Sequence, residues 1–330
     1  MKLYLAPLQG YTEIEFRRAW SQFFSGIDVA VSPFIPLAKS FRFRSKHLQD
    51  VIPNQNTRIP VIPQVLGIDP EKFIFLATRL EDLGHQTLNW NLGCPKKTVA
   101  RKKRGSGLLP YPEQLRNILD ELIPKLPIKL SIKTRLGFNS PDEFFKLIEV
   151  YNDFPLDSLI IHPRIGTQMY DGEMHLKALD QTIGQIKHKI VFSGDISDYK
   201  TYESLKTRYP QIDDWMLGRG VLTNPFLPKW IRAGKIENNE GQIRQTLYHL
   251  HEELFCEIRD KIKRERPILN KMKDFWSYFA RWFKNDEAIF STLARMDNID
   301  DFMEYLKKVF NEHPLSQAEG RTNRQIKLNK

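Results

Sequence analysis

Cys94 is the residue with the most chemistry to offer. It stands in Leu88-Asn89-Trp90-Asn91-Leu92-Gly93-Cys94-Pro95, a short strand that turns at a Gly-Cys-Pro corner. Gly93 permits the sharp turn, and Pro95 keeps the strand from continuing. Asn91 and Cys94 are thereby raised to the C-terminal end of a strand, where α/β enzymes hold their reacting groups. Directly behind comes Lys96-Lys97-Thr98-Val99-Ala100-Arg101-Lys102-Lys103-Arg104-Gly105-Ser106-Gly107, with six cations and no acid. A thiol at a strand tip beside a basic loop points to a reactive group facing a polyanion. A small buried cysteine ahead of a solvated loop would show the same spacing.

The elements that position these residues alternate. Apolar strand-like runs recur at 2–5, 28–32, 60–64, 87–91, 129–133, 158–162, 189–193 and 215–218, each followed by a helical pattern. Asp69-Pro70-Glu71 reads as an N-cap with proline at the first helical position, and Gly84 closes that helix. Ser140-Pro141-Asp142-Glu143 reads as a capping box, and Asn224-Pro225 opens a short final helix. Eight such units by residue 235 predict an α/β fold, a (β/α)8 TIM barrel. Its strand tips carry Pro7 and Gln9, Ser32, Gln64, Asn91 with Cys94, Lys133, His162 with Arg164, Ser193 with Asp195, and Gly218 with Arg219. Polar groups ending apolar strands are expected at a barrel's catalytic mouth, and glycines after the last two strands suit a phosphate. From residue 236 the rhythm changes to helices at 242–266, 267–284, 285–295 and 299–313. The expected division is a barrel over 1–235, a small C-terminal helical bundle over 236–313 and a flexible polar tail over 314–330.

Composition narrows the class. The chain has 330 residues and a net charge of +10, with 41% hydrophobic residues. Its pI is near 9.4, which favours an acidic partner. Two cysteines make no disulfide framework and suit a reducing cytoplasm. No run reaches the roughly 18 apolar residues of a membrane helix, and Pro7 and Gln9 interrupt what could pass for a signal peptide. Residues 96–104 contribute +6, and residues 259–284 carry nine cations against three acids. The second segment interleaves aromatics: Lys271-Met272-Lys273-Asp274-Phe275-Trp276-Ser277-Tyr278-Phe279-Ala280-Arg281-Trp282. A third cluster holds Lys39, Arg42 and Arg44 among Phe34, Phe41 and Phe43. Such mixtures neutralise phosphates and stack bases. Helical spacing places Phe275, Tyr278, Phe279 and Trp282 mainly in a core, with the flanking cations left for RNA.

Taken together, the motifs resemble those of the bacterial tRNA-dihydrouridine synthases. The resemblance runs in order through Ala6-Pro7-Leu8-Gln9-Gly10, Gln64-Val65-Leu66-Gly67, the stretch from Asn91 to Leu109, and Lys133-Thr134-Arg135-Leu136-Gly137. It continues through His162-Pro163-Arg164 to Tyr170 and from Gly218 to Pro225. It implies a barrel binding flavin mononucleotide (FMN), a C-terminal tRNA-binding helical domain, and NADPH (or NADH) as reductant. Ala6, Pro7, Leu8, Gln64, Lys133, His162, Arg164, Ser193, Gly194, Asp195, Gly218 and Arg219 would hold FMN. Asn91, Arg135 and Tyr170 would meet the uracil or its ribose, and Cys94 would be the proton donor. Lys39, Arg42, Arg44, Lys96, Arg101, Lys102, Lys271, Lys273 and Arg281 would contact the tRNA backbone. Ser193 departs from the family's usual asparagine, and Ile165 and Gly166 depart from its pattern beside Arg164. The expectation is a cytoplasmic monomer that binds no metal, no membrane and no stable protein partner. An FMN barrel reducing a free small molecule, or a non-catalytic RNA-binding protein, would share part of these features.

The reaction so implied sends a hydride to C6 and a proton to C5 of a uracil. An ordinary thiol, with a pKa of about 8.5, could donate that proton. Six neighbouring cations favour thiolate instead. The expectation is therefore that tRNA phosphates neutralise the loop and restore the thiol in the complex.

Overall fold

The computed structural model describes all residues except 39–40, 42–47, 54–57 and 317–330. Among the described residues, ten short strands form one sheet: β1 (Leu3–Leu5), β2 (Val29–Val31), β3 (Ile35–Pro36), β4 (Val61–Ile62), β5 (Gln64–Leu66), β6 (Thr87–Leu92), β7 (Lys129–Gly137), β8 (Leu159–Ile165), β9 (Ile190–Ser193) and β10 (Asp214–Leu217). Their order is β3-β5-β6-β7-β8-β9-β10-β1-β2-β4. Pro63, which has no N–H to give, divides a single strand into β4 and β5. Since β2 pairs with β4 and β3 with β5, both in parallel, the two ends of the sheet meet. The result is a closed, eight-stranded parallel barrel at the positions the apolar runs mark.

Two compact units make up the chain, and neither follows chain order. The first is Met1–Gln9, Asp28–Gly194 and Pro210–Met216; the second is Gly10–Ile27, Asp195–Tyr209 and Leu217–Lys330.

In the first unit, Tyr4, Ala6, Val31, Ile160, Val191 and Met216 form a buried apolar cluster. Trp90 of β6 faces the other way and meets Phe73 of helix Pro70–Asp82 edge to face, 5.7 Å between centroids. Alternation along β6 therefore turns Asn89 and Asn91 inward. Asp69 caps that helix by accepting from the Lys72 amide at 3.1 Å. The 140–143 box is half formed. Glu143 accepts from the amides of Phe138, Asn139 and Ser140, while the Ser140 hydroxyl accepts from Asp142 N.

In the second unit, helix Ile14–Phe23 lies against helix Glu240–Lys261. Arg18 pairs with Glu257 at 3.4 Å, and Lys261 pairs with Glu15. The helix expected over 242–266 stops at Lys261, and the next runs from Glu265 to Phe279. A helix continuing through Pro267 would drive its ring into the carbonyl of Lys263. The break upstream places Pro267 in a first turn, where proline is tolerated. Phe275, Tyr278, Phe279 and Trp282 are all buried. Among the described residues no helix is long and apolar enough to cross a membrane.

Candidate active site

Cys94 is held from both sides by the backbone around it. Asn91, near the end of β6, turns its carbonyl oxygen to accept from the amides of Gly93 (3.1 Å) and Cys94 (2.9 Å). The carbonyl of Cys94 accepts from both the amide and the hydroxyl of Ser106, each at 3.0 Å. The basic loop thus leaves the corner and returns to it. A Cβ on Gly105 would stand 2.7 Å from the Cys94 oxygen, and φ there is +56°. Only glycine suits that close approach.

The thiol is buried, 8% exposed. Burial pushes its pKa up, against opposing pulls from the Lys96 amide and the charges of Lys96, Arg135 and Lys133. Desolvation disfavours the thiolate more than the cations favour it. This corrects the expectation drawn from charge alone: the thiol is protonated without any tRNA phosphate. The exposed cations of the loop point into solvent, where water screens them.

Gln64 on β5 is fully buried. Its carbonyl accepts from Asn91 and its amino group donates to Asn89, both at 2.7 Å. The sheet register sets Lys133 of β7 beside Asn91. Burial and the neighbouring Arg135 charge pull the Lys133 ammonium down to about 8, and among the described residues no acid pairs with it. His162 on β8 stands opposite Arg135 in the register. Arg164 reaches its Nε2 at 3.1 Å. A guanidinium can only donate, so Nε2 is the acceptor and the ring proton sits on Nδ1.

Arg135 and Arg164 are buried and give these hydrogen bonds to the framework. Arg135 donates to the carbonyls of Gly93 (2.9 Å), Ile165 (2.7 Å) and Met169. Arg164 donates twice to the carbonyl of Gly172. Together they fasten the loop carrying Tyr170, which is 45% exposed with the Arg135 guanidinium 5.7 Å from its ring centroid. Ala6 is buried and Pro7 and Leu8 are half-buried just beyond β1. Ser193 ends β9, and a Cβ on Gly194 would stand 2.6 Å from the Phe192 ring.

In the second unit, Gly218 precedes the five-residue helix Arg219–Thr223, and Arg219 donates to Asp195 at 3.0 Å. Lys271 binds the Gly10 carbonyl and Glu13. Lys273 binds the carbonyls of Ala294 and Met296, and Arg281 pairs with Asp286 at 2.6 Å. The three cations chosen for RNA contact are therefore engaged within their own unit. Lys263, Arg264 and Arg266, at the helix break, are exposed, as are Arg259, Lys261 and Lys284, and charge counting passed over them individually. In the first unit Lys96, Arg101 and Lys102 are exposed as expected. Lys39, Arg42 and Arg44 lie outside the described residues. Sequence reading also missed Asn89 and Ser131, whose only signal is strand register, and Ser106, whose role depends on the loop returning to the Cys94 carbonyl.

Comparison with known proteins identifies the family. The family model described as "Dihydrouridine synthase (Dus)" matches residues 4–314. The chain is 26% identical over 311 residues to the tRNA-dihydrouridine(16) synthase of Pseudomonas putida, covering 90% of this chain and 94% of that one. It is also 26% identical over 231 residues to tRNA-dihydrouridine synthase B of Pasteurella multocida, 68% of this chain and 67% of the other. In fold it resembles morphinone reductase, with a TM-score of 0.52 at 10% identity, covering 72% of this chain and 87% of that one. With the family's pattern spanning both the barrel and the helices that follow it, the chain belongs to the dihydrouridine synthases.

Proposed function

We propose that this protein reduces the C5=C6 bond of a uridine in tRNA to dihydrouridine, using FMN recharged by NADPH or NADH. The carrying observation is a buried thiol, kept protonated by its surroundings, on a corner that Asn91 and Ser106 fix. The side chains around it suit a flavin. Asn91 and His162 bring polar groups that match an imide edge, and among the described residues no acid pairs with the Lys133 ammonium. These residues would hold the cofactor, with an anionic ligand restoring to Lys133 the charge that burial disfavours. Reduced FMN held there would provide the hydride chemistry needed at C6.

Cys94 supplies the proton that goes to C5. Losing it leaves a thiolate that Lys133, Arg135 and Lys96 stabilise, and solvent returns the proton before the next turnover. Tyr170, exposed on a loop that two buried arginines fasten, offers a ring face to the substrate. Lys96, Lys97, Arg101, Lys102 and Lys103 meet the RNA backbone, which fixes position and not choice of base. The test is Cys94→Ala. Dihydrouridine formation should fall roughly 10²–10⁴-fold while flavin absorbance and tRNA affinity stay as in the parent; an active Cys94→Ala protein sinks the assignment.

A further inference from the structure

The barrel interior is apolar where β8, β9, β10, β1 and β2 line it, through Ile160, Val191, Met216, Tyr4, Ala6 and Val31. Across β5, β6 and β7 it is polar. The register sets Gln64 beside Asn89 and Asn89 beside Ser131, and none of the three is more than 1% exposed. Packing alone would not put three polar side chains in one buried row, since each costs free energy unless it is bonded.

Every one of them is bonded, and the bonds run in one direction. Ser131 Oγ donates to the Leu88 carbonyl at 3.3 Å, and Asn89 Nδ2 donates to Ser131 Oγ at 2.8 Å. Gln64 Nε2 donates to Asn89 Oδ1, and Asn91 Nδ2 donates to Gln64 Oε1, each at 2.7 Å. Asn91 Oδ1 then accepts from Gly93 N and Cys94 N. Both ends are backbone groups with fixed roles: the Leu88 carbonyl can only accept, and the two amides can only donate. No amide along the chain can reverse without setting donor against donor in a dry interior. The orientation of Asn91, and so the corner beneath Cys94, is set from a point three side chains away.

We propose that Asn89 and Ser131 are positioning residues for Cys94, acting through Gln64 and Asn91. The proposal rests on the reading of Cys94 as proton donor. Its consequence is that cutting the chain far from the thiol loosens the corner, exposes the sulfur and misplaces the proton.

The test uses the flavin-loaded enzyme with three variants. Asn89→Leu removes both links. Ser131→Ala cuts only the far end. Asn89→Asp still accepts from Gln64, and it accepts from the Ser131 hydroxyl, which then no longer donates to the Leu88 carbonyl. Alkylation of Cys94 is followed by peptide mass spectrometry, which separates it from Cys256, and kcat and KM are measured on tRNA. Asn89→Leu should speed alkylation about tenfold and lower kcat about 10–100-fold with KM within twofold, the size expected of a small misplacement at a reacting centre. Ser131→Ala should move both the same way by about threefold. Asn89→Asp, which keeps the Gln64 link but loses the Leu88 end, should move them about as far as Ser131→Ala and well short of Asn89→Leu. Parent alkylation rates in folded Asn89→Leu, or an Asn89→Asp no better than Asn89→Leu, would overturn the relay. If Asn89→Leu does not fold, Ser131→Ala decides by the same readouts. A parent protein that makes no dihydrouridine would refute the reaction, while the alkylation rates would still decide the relay.

Discussion

Two stretches of this chain are equally rich in positive charge and put it to opposite uses. In the loop after Cys94, Lys96, Lys97, Arg101, Lys102 and Lys103 are exposed, and among the described residues none is paired with an acid. Lys103 lies 4.0 Å from the ring centroid of exposed Tyr111. In the helical stretch of the second unit, Lys261, Lys271, Lys273 and Arg281 are bound to Glu15, Gly10 with Glu13, Ala294 with Met296, and Asp286. Burial even lowers the pKa of Lys273. Net charge along a sequence thus reports how many cations there are, not how many remain for a partner. What separates the two is the helical pattern. Cations spaced among buried aromatics are carried into contact with carbonyls and carboxylates of the next element. Cations on a short loop stay exposed, with a ring face such as that of Tyr111 beside them at most.

The sharpest way to break this comparison is to neutralise three cations in each place. Replacing Lys97, Arg101 and Lys102 by alanine should weaken tRNA binding roughly 10²-fold at low salt and reduce the salt slope by about 3. Replacing Lys271, Lys273 and Arg281 by methionine should leave affinity within twofold. Each of those changes should instead cost about 1.5–3 kcal/mol of unfolding free energy, because a charge-assisted hydrogen bond is lost and its acceptor stranded. Equal losses of tRNA affinity in the two triples would erase the distinction. Lys263, Arg264 and Arg266 sharpen it. They belong to the helical stretch but are exposed, so they should behave like the loop.

The barrel was legible because its signals are local. Apolar runs, the Asp69 cap and the Gly-Cys-Pro corner each act within a few residues. The site was legible as a set of strand-end residues, Gln64, Asn91, Cys94, Lys133 and His162. Illegible were the jobs of Arg135 and Arg164, whose acceptors are carbonyls of a loop 30 or more and 8 residues further on. Asn89 and Ser131 were invisible for a similar reason: what they do depends on register between strands 42 residues apart. The ionisation of Cys94 was misread because charge is visible in sequence and desolvation is not.

The helical stretch should also show a pH dependence that the loop lacks. His251 is fully buried, and its Nδ1 accepts from the Trp276 indole at 3.2 Å. Burial pushes its pKa down to about 3. The folded protein therefore refuses a proton that the unfolded chain takes up below about 6.5, so folding loses stability as pH falls from 6.5 toward 3. By pH 5 the loss is about 2 kcal/mol, at 1.36 kcal/mol per unit. Denaturant unfolding followed by tryptophan fluorescence reads it. In His251→Gln, where an amide oxygen still accepts from Trp276, the slope over that range should fall by the share that His251 contributes. A parent protein equally stable at pH 5 and 7 would refute the assignment.

The smallest effect is the most discriminating. Of the six cations in the loop, Lys96 pulls hardest on the Cys94 thiol, alongside Arg135 and Lys133 of β7. If the loop's role is to grip RNA and burial keeps the thiol protonated, the two functions separate. The Lys97, Arg101 and Lys102 triple variant should then bind tRNA poorly while the pH profile of Cys94 alkylation stays where it is. That midpoint should lie above the ordinary thiol value of about 8.5, and adding tRNA should slow alkylation by shielding without moving the midpoint. Lys96→Ala should move it upward only slightly, since an exposed ammonium acts through screened solvent. A midpoint that climbs when tRNA binds, or when the distant loop charges are removed, would mean that the loop governs the thiol electrostatically and that burial is not what keeps the proton in place.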